Sequence, residues 1–345
     1  TCVICVMDTS ATEITFNEKG VCIFCIEFQK NDYKRKAEKL HPGLAWTLYK
    51  LREAGRGKKY DCLMGLSGGV DSAMCLHRLV ENGIRPLCFS VDNGWNDKRA
   101  DENIMRMVET LKVPFYRYTI DLEEFKDLQI AFVRAGVKNI EIPTDHILQA
   151  TTYQMAEDND IKYIISGGNL ATEGIMPESW GYQPNDLTHI KAIFRKFMGK
   201  KLKKLPTISL LDYLYYRFIK GIKIINLLDF YEYHRENSKR LLEKTYGWKD
   251  YHLKHEESIY TKWFQNYYLP VKFGIDKRKA HFSSMINSGQ MTREEAIKEL
   301  ANLPIYPLFG CEERVLSYAK HDYREYPNSE RIRKTLSKIY AFYKR

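Results

Sequence analysis

From Tyr60 to about Gly181, short apolar runs alternate with stretches whose apolar residues recur at helical spacing. The runs at 60–66, 85–92, 114–121 and 162–167 read as strands. Helical patterns at about 70–82, 99–112 and 145–159 separate them. Strand, helix and strand in repetition predict a parallel sheet with helical crossovers, an α/β fold. Residues 187–250 break the rhythm. "LLDYLYYRFIKGIKIINLLDFYEYHRENSKRLLEKTYGW" is rich in Tyr, Leu, Ile and Lys, without strand–turn alternation, and reads as a helical insertion. The remainder, 251–345, also reads as helical; Thr292 followed by Glu295 forms a capping box. At the other end, 1–30 is short and cysteine-punctuated, and 31–58 reads as a charged connector plus a helix. The division is therefore 1–30, 31–186, 187–250 and 251–345.

The chain has 345 residues, 44% of them hydrophobic, enough for a sizeable core. Its formal net charge of +10 admits nucleic acid, anionic lipid or phosphorylated small molecules and selects none of them. No 18-residue apolar run occurs, so no membrane span is expected. Thr1 and Cys2 open the sequence with no basic-then-apolar leader, so no secretory signal is expected, although Thr1 leaves room for native residues ahead of it.

Eight cysteines are present. Cys62, Cys75 and Cys88 lie in apolar segments and read as small core residues; Cys311 is isolated. "CVIC" and "CIFC" place Cys2, Cys5, Cys22 and Cys25 as two C-x2-C knuckles, a spacing that sets four thiolates around zinc. A four-cysteine shell leaves no open position, so Zn²⁺ would fold the segment and do no chemistry. This usage indicates a reducing, cytoplasmic compartment.

The strand at 60–66 runs into Ser67-Gly68-Gly69-Val70-Asp71-Ser72 and then a helix. Two glycines let the backbone turn sharply and bring its N–H groups to an anion, and the helix adds its positive end. Ser67 and Ser72 offer hydroxyls. Asp71 beside a phosphate makes sense if Mg²⁺ bridges them. Neither a Walker loop nor a dinucleotide fingerprint is present.

The Ser67–Ser72 segment resembles the S-G-G-x-D-S loop of the N-type ATP pyrophosphatases, the PP-loop group. The resemblance implies a doubly wound parallel sheet of the adenine nucleotide alpha hydrolase-like kind, which splits ATP between its α and β phosphates. It assigns the adenosine to the "FSVDNGW" strand end, at Val91 and Asp92. Ser166-Gly167-Gly168 in "IISGGNLATE" is similar to the turn after the corresponding strand in that group, and Glu173 would be a second Mg²⁺ ligand beside Asp71.

More of the chain narrows the match. The ribbon with "VMDTSATEITFNEKGVC", then "EIPTDHILQATTYQMA", "SWGYQPNDLTHIKAIFRKF", "SLLDYLYYRFIKGIKI" and "YYLPVKFGIDKRKAHFSSMINSGQMTREEA" resemble the N-acetyl sugar amidotransferases of bacterial surface-polysaccharide (lipopolysaccharide), flagellin-glycan and pseudaminic acid synthesis. That implies conversion of a sugar acetamido group, free or nucleotide-linked, to acetamidino. Ammonia would come from a separate glutaminase–synthase pair; Cys2, committed to its knuckle, is no glutaminase nucleophile. The segment 187–250 is the candidate surface for that partner, or a helical lid.

"YHLKHEESIYTK" and "KFGIDKRKAH" hold basic clusters that composition alone reads as solvated faces. The family resemblance instead assigns Lys277 and Arg278 to the phosphates. His255 and Glu257 are candidates near the sugar. Asp145 would bind sugar hydroxyls or cap its helix, and Trp95, Trp180 and Tyr182 would stack on a sugar ring or pack the core. The rival reading is a PP-loop tRNA-modifying enzyme of thiolation or lysidine type. The isolated leftover cysteines argue against sulphur transfer. A zinc-ribbon nucleic-acid-binding module leaves Asp71 unexplained, so nucleic acid is not the expected partner.

Overall fold

The computed structural model describes the chain except residues 40–42, 252–256, 303–306, 308, 311 and 344–345, and except the side chains of 32–39 and 339–343. His255 and Cys311 lie outside the described residues.

All the expected strands are present. β1 (Cys62–Gly65), β2 (Pro86–Asp92), β3 (Phe115–Thr119) and β4 (Tyr163–Ser166) pair in parallel, each within the span its apolar run predicts. A fifth strand, β5 (Lys223–Asn226), pairs in parallel with β4, Ile164 beside Ile224. It falls inside the segment read as a helical insertion and corrects that reading. The β-branched pair Ile224 and Ile225 follows a left-handed turn at Gly221 (φ 69°). Because β5 is an edge strand it needs one neighbour, and three of its four residues stay exposed among helical sequence.

The strand order is β3-β2-β1-β4-β5, the doubly wound order. Alternate residues of β1 feed opposite layers. Cys62 and Met64 pack with Met74, Leu76, Cys88 and Ile104, whereas Leu63 packs with Phe89, Phe125, Phe132 and Ile147. Cys62, Cys75 and Cys88 are buried core residues, as expected. The helix Leu122–Ala135, which the sequence reading passed over, is capped by Asp121 and covers the second face. Thr292 and Glu295 form the expected capping box on the helix Arg293–Ala301.

The N-terminal ribbon is not a detached module. It lies against the helix Arg278–Asn287, where the Val6 amide donates to Ser283 Oγ (3.2 Å) and Arg293 donates to the carbonyls of Cys2 and Cys5.

Candidate active site

The order of the sheet reverses between β1 and β4, so the loops leaving those two strands diverge and open a crevice. Ser67–Ser72 occupies one side and Ser166–Glu173 the other. A cavity of about 260 Å³ lies between them, lined among others by Ser67, Gly69, Asp71, Ser72, Gly168 and Glu173.

The loop is built tightly. Gly68 takes φ 83°, and its carbonyl accepts hydrogen bonds from Trp248 Nε1 (3.0 Å) and Asn103 Nδ2 (3.3 Å). The Gly69 amide donates to Ser67 Oγ (3.2 Å), and Ser72 Oγ donates to the Gly69 carbonyl (3.1 Å). Gly167 passes so close that a Cβ there would stand 3.2 Å from the Ser72 amide nitrogen. The Gly168 amide turns back to Ser166 Oγ (3.0 Å). The helix Val70–Glu81 then starts with its free N–H groups at the cavity.

Asp71 and Glu173 line this cavity from opposite loops. Two carboxylates lining a crevice beside an anion loop are the hard oxygen donors Mg²⁺ takes, so the residues fit that ion. Tyr233, buried, donates its hydroxyl to Asp71 Oδ1 and fixes the carboxylate.

The cations are arranged differently from expectation. Arg278 does not reach the loop. Its guanidinium forks onto Asp276 (2.7 and 3.0 Å) and donates to the carbonyls of Glu299 and Asn302, so it is a buried tie within the C-terminal region. Among the described residues, the cation in the cavity wall is Arg235, at the start of the helix Arg235–Tyr246. Its Nε is buried without a hydrogen-bond partner. Trp248, Asp250 and Tyr251 complete the wall, with Lys239 bridging to Asp250 at 3.0 Å. Sequence reasoning missed all of these. The available signal was the dense "GWKDY", where a Trp, an acid and a Tyr follow a helix-ending glycine.

Lys277 meets carboxylates rather than the loop. Burial lowers its ammonium from the usual lysine range, and Asp145, Glu141 and Glu173 oppose that fall. Glu257 lines the cavity, its carboxylate beside Gly69, and its carbonyl accepts from the Asp97 amide (2.9 Å). Val91 and Asp92 stand at the end of β2 beside β1, where the Asp92 carboxylate accepts from the Gly94 amide (3.1 Å). Lys272 is spent on the carbonyls of Val315 and Tyr318. The aromatic candidates serve the core. Trp180 is buried and donates to the Ser10 carbonyl, Tyr182 stacks on Tyr323, and Trp95 donates to Gln129.

In the ribbon, Cys2, Cys5, Cys22 and Cys25 are buried with sulfurs all within 4.8 Å of one another. Cys2–Cys25 is 3.9 Å and Cys5–Cys22 is 3.7 Å. A tetrahedron with Zn–S of about 2.3 Å has an edge of about 3.8 Å, so the donor set fits zinc. The Ile4, Met7 and Cys22 amides and Asn287 Nδ2 donate to these sulfurs and orient them.

The fold and this loop define the class: a doubly wound α/β protein with a glycine-turned anion loop, similar to a PP-loop, at its switch point. More particularly, residues 257–337 match the family described as "LPS biosynthesis protein WbpG-like, C-terminal domain". An uncharacterised protein of Methanocaldococcus jannaschii is 30% identical over 175 residues, which is 49% of this chain and 59% of that relative. Similar solved structures include the NH3-dependent NAD synthetase of Campylobacter jejuni (16% identity, TM-score 0.30, 45% of this chain and 72% of that one). The NMN synthetase of Francisella tularensis is 12% identical (TM-score 0.32, 62% and 97%). So is a predicted tRNA methyltransferase subunit of Methanocaldococcus jannaschii (TM-score 0.30, 53% and 75%).

Proposed function

We propose that this chain is an ATP-using enzyme of lipopolysaccharide biosynthesis. In finer terms it is an AMP-forming amidotransferase that converts a sugar acetamido group to acetamidino. The observation that carries the reading is the crevice at the β1/β4 switch point, with a glycine-turned anion loop, a helix N-terminus and the carboxylates of Asp71 and Glu173 converging on one cavity.

An amide carbon is a poor electrophile and its oxygen a poor leaving group. Attack of that oxygen on the α-phosphorus of ATP forms an O–P bond, breaks the bond to the β-phosphate and releases pyrophosphate; the amide N–H proton is lost. Ammonia then adds to the imidate carbon and AMP departs. Mg²⁺ held by Asp71 and Glu173 would neutralise phosphate charge. The chain's own residues cradle the pyrophosphate with the loop amides, oppose its charge with Arg235 and shield the cavity from water with Trp248 and Tyr251. No protein nucleophile is required.

Cys62, Cys75 and Cys88 are buried, and burial raises all three thiols, which speaks against a tRNA thiolase. Ammonia would come from a glutaminase–synthase partner; Leu211, Phe218 and Ile219 stand exposed on the segment 187–250 that is the candidate surface for it. The test is incubation with ATP, Mg²⁺, ammonium chloride and a panel of free and nucleotide-linked N-acetyl sugars. The expected product is lighter by about one mass unit, the exchange of O for NH, with AMP and pyrophosphate in equal amounts. ATP cleavage that depends on tRNA and on no sugar would refute the reading.

A further inference from the structure

The arginine in the cavity wall is incompletely satisfied by the protein around it. The Arg235 side chain is 11% exposed, and its Nε is buried without a hydrogen-bond partner. Its Nη1 stands 3.5 Å from Glu236 Oε1, an oxygen that also takes Lys239 Nζ at 2.9 Å. A covered guanidinium whose fork the protein leaves partly empty suits an anionic ligand, and this one lines the cavity with the Ser67–Ser72 loop. Where it points depends on where its helix begins. The Arg235 N–H belongs to the first turn of the helix Arg235–Tyr246, where no helical carbonyl can accept it, and His234 ahead of it gives no side-chain cap.

The missing acceptor comes from 55 residues further along the chain. Gln290 Oε1 accepts from the Arg235 amide (2.9 Å), and Nε2 of the same side chain donates to the Tyr233 carbonyl (3.0 Å). One partner is an N–H and the other a C=O, so the amide group fits in one orientation. Two bonds to residues two apart fix both the position and the direction of the backbone between them. Gln290 is itself held. Its N–H donates to the Met285 carbonyl (2.8 Å), beyond the left-handed Gly289 (φ 75°) that ends the helix Arg278–Asn287. Its Nε2 also meets Ser288 Oγ (3.3 Å), which donates to the Ala171 carbonyl (2.8 Å) in the short helix that ends at Glu173. The segment Gln290 grips carries the Tyr233 hydroxyl to Asp71. Among the described residues, the matched region 257–337 gives the cavity wall Glu257 alone, and Gln290 stands behind the wall.

We propose that Gln290 is a positioning residue of the anion site: by capping the Arg235 N–H and holding the Tyr233 carbonyl it sets where the helix starts, and so keeps the Arg235 guanidinium on the phosphates of the nucleotide. The proposal rests on the ATP-using reading above. Gln290 meets no phosphate itself and acts through Arg235.

The probe is α,β-methylene-ATP, which cannot be split at the bond the proposed reaction breaks. It is titrated by calorimetry with saturating Mg²⁺ and no sugar into wild type, Arg235→Met, Gln290→Met and the double variant. Gln290→Met keeps the length of the side chain and removes both hydrogen bonds. Arg235→Met should weaken binding about thirtyfold and Gln290→Met about tenfold. Because Gln290 works through the arginine, the double variant should bind within about threefold of Arg235→Met, whereas a general loosening of the fold would multiply the losses to about three-hundredfold. Gln290→Asn, one methylene shorter, cannot reach both partners and repeats the cycle if Gln290→Met does not fold. Unchanged affinity in the Gln290 variants, or multiplied losses in the double variant, would overturn the proposal. A wild type that binds no α,β-methylene-ATP sinks the ATP-using reading itself, and the role of Gln290 with it.

Discussion

Gly68→Ala tests the loop geometry directly. At φ 83° an L-residue pays about 1–2 kcal/mol for the left-handed conformation. The new Cβ would stand 2.5 Å from the Ala100 carbonyl oxygen and 2.7 Å from Ala100 Cα. Both are backbone atoms of the helix Lys98–Leu111, whose start is fixed by the Asp97 cap, so neither can swing aside. Forced overpacking of this kind costs about 1–3 kcal/mol. The expected loss is thus about 2–5 kcal/mol, a large part of a domain's stability. Any relief would pull the Gly68 carbonyl from Trp248 and Asn103 and swing the loop amides away from the cavity. Urea denaturation followed by tryptophan fluorescence reads the stability, and ATP-dependent AMP formation reads the loop. Gly69→Ala is the control. Its Cβ meets side-chain oxygens of Ser67 and Glu257 at 3.3 Å and should cost under about 1 kcal/mol. A loss below about 1 kcal/mol for Gly68→Ala, with AMP formation kept, would refute the reasoning.

Cys25→Ser should take zinc from one per chain to near zero by elemental analysis and lower solubility, because the ribbon packs on Asn287 and Ser283. Arg235→Met should weaken ATP binding, seen as a raised KM, with little change in melting temperature. Arg278→Met should do the reverse, costing about 1–3 kcal/mol by taking the guanidinium from the part-buried Asp276, which keeps only the backbone N–H at 278. Wild-type stability should fall as pH rises from about 4.5 toward about 8, because the unfolded chain releases the Glu141 proton first while the folded chain keeps it. Asp145 acts the same way up to about 6. Glu141→Gln should flatten the slope of melting temperature between pH 6 and pH 8, and an unchanged slope would refute the assignment.

The parts of the fold legible in the sequence are those where local pattern and burial coincide. β1 to β4 are flanked by helical repeats, and the Ser67–Ser72 turn needs its glycines for reasons visible without coordinates. β5 escaped because four edge residues in helical surroundings carry almost no periodic signal. Charge density misled at Arg278: "DKRK" states how many cations there are but not where each points, and Asp276, two residues away, claims this one. Arg235 was hidden for the opposite reason. It sits in a polar, unremarkable "YHREN", and it reaches the cavity only because Tyr233, two residues earlier, is pinned to Asp71.

Side-chain clusters are harder to read from sequence than the anion loop. Phosphate binding is done largely by backbone, so its signature is contiguous: a strand, two glycines and a helix start. The side chains around Lys277, by contrast, come from separate places, Glu141 and Asp145 at the start of one helix and Glu173 in the loop after β4. Glu173 ties the two together. It lines the cavity with Asp71 and also faces Lys277, so a charge placed in the cavity is felt at Lys277.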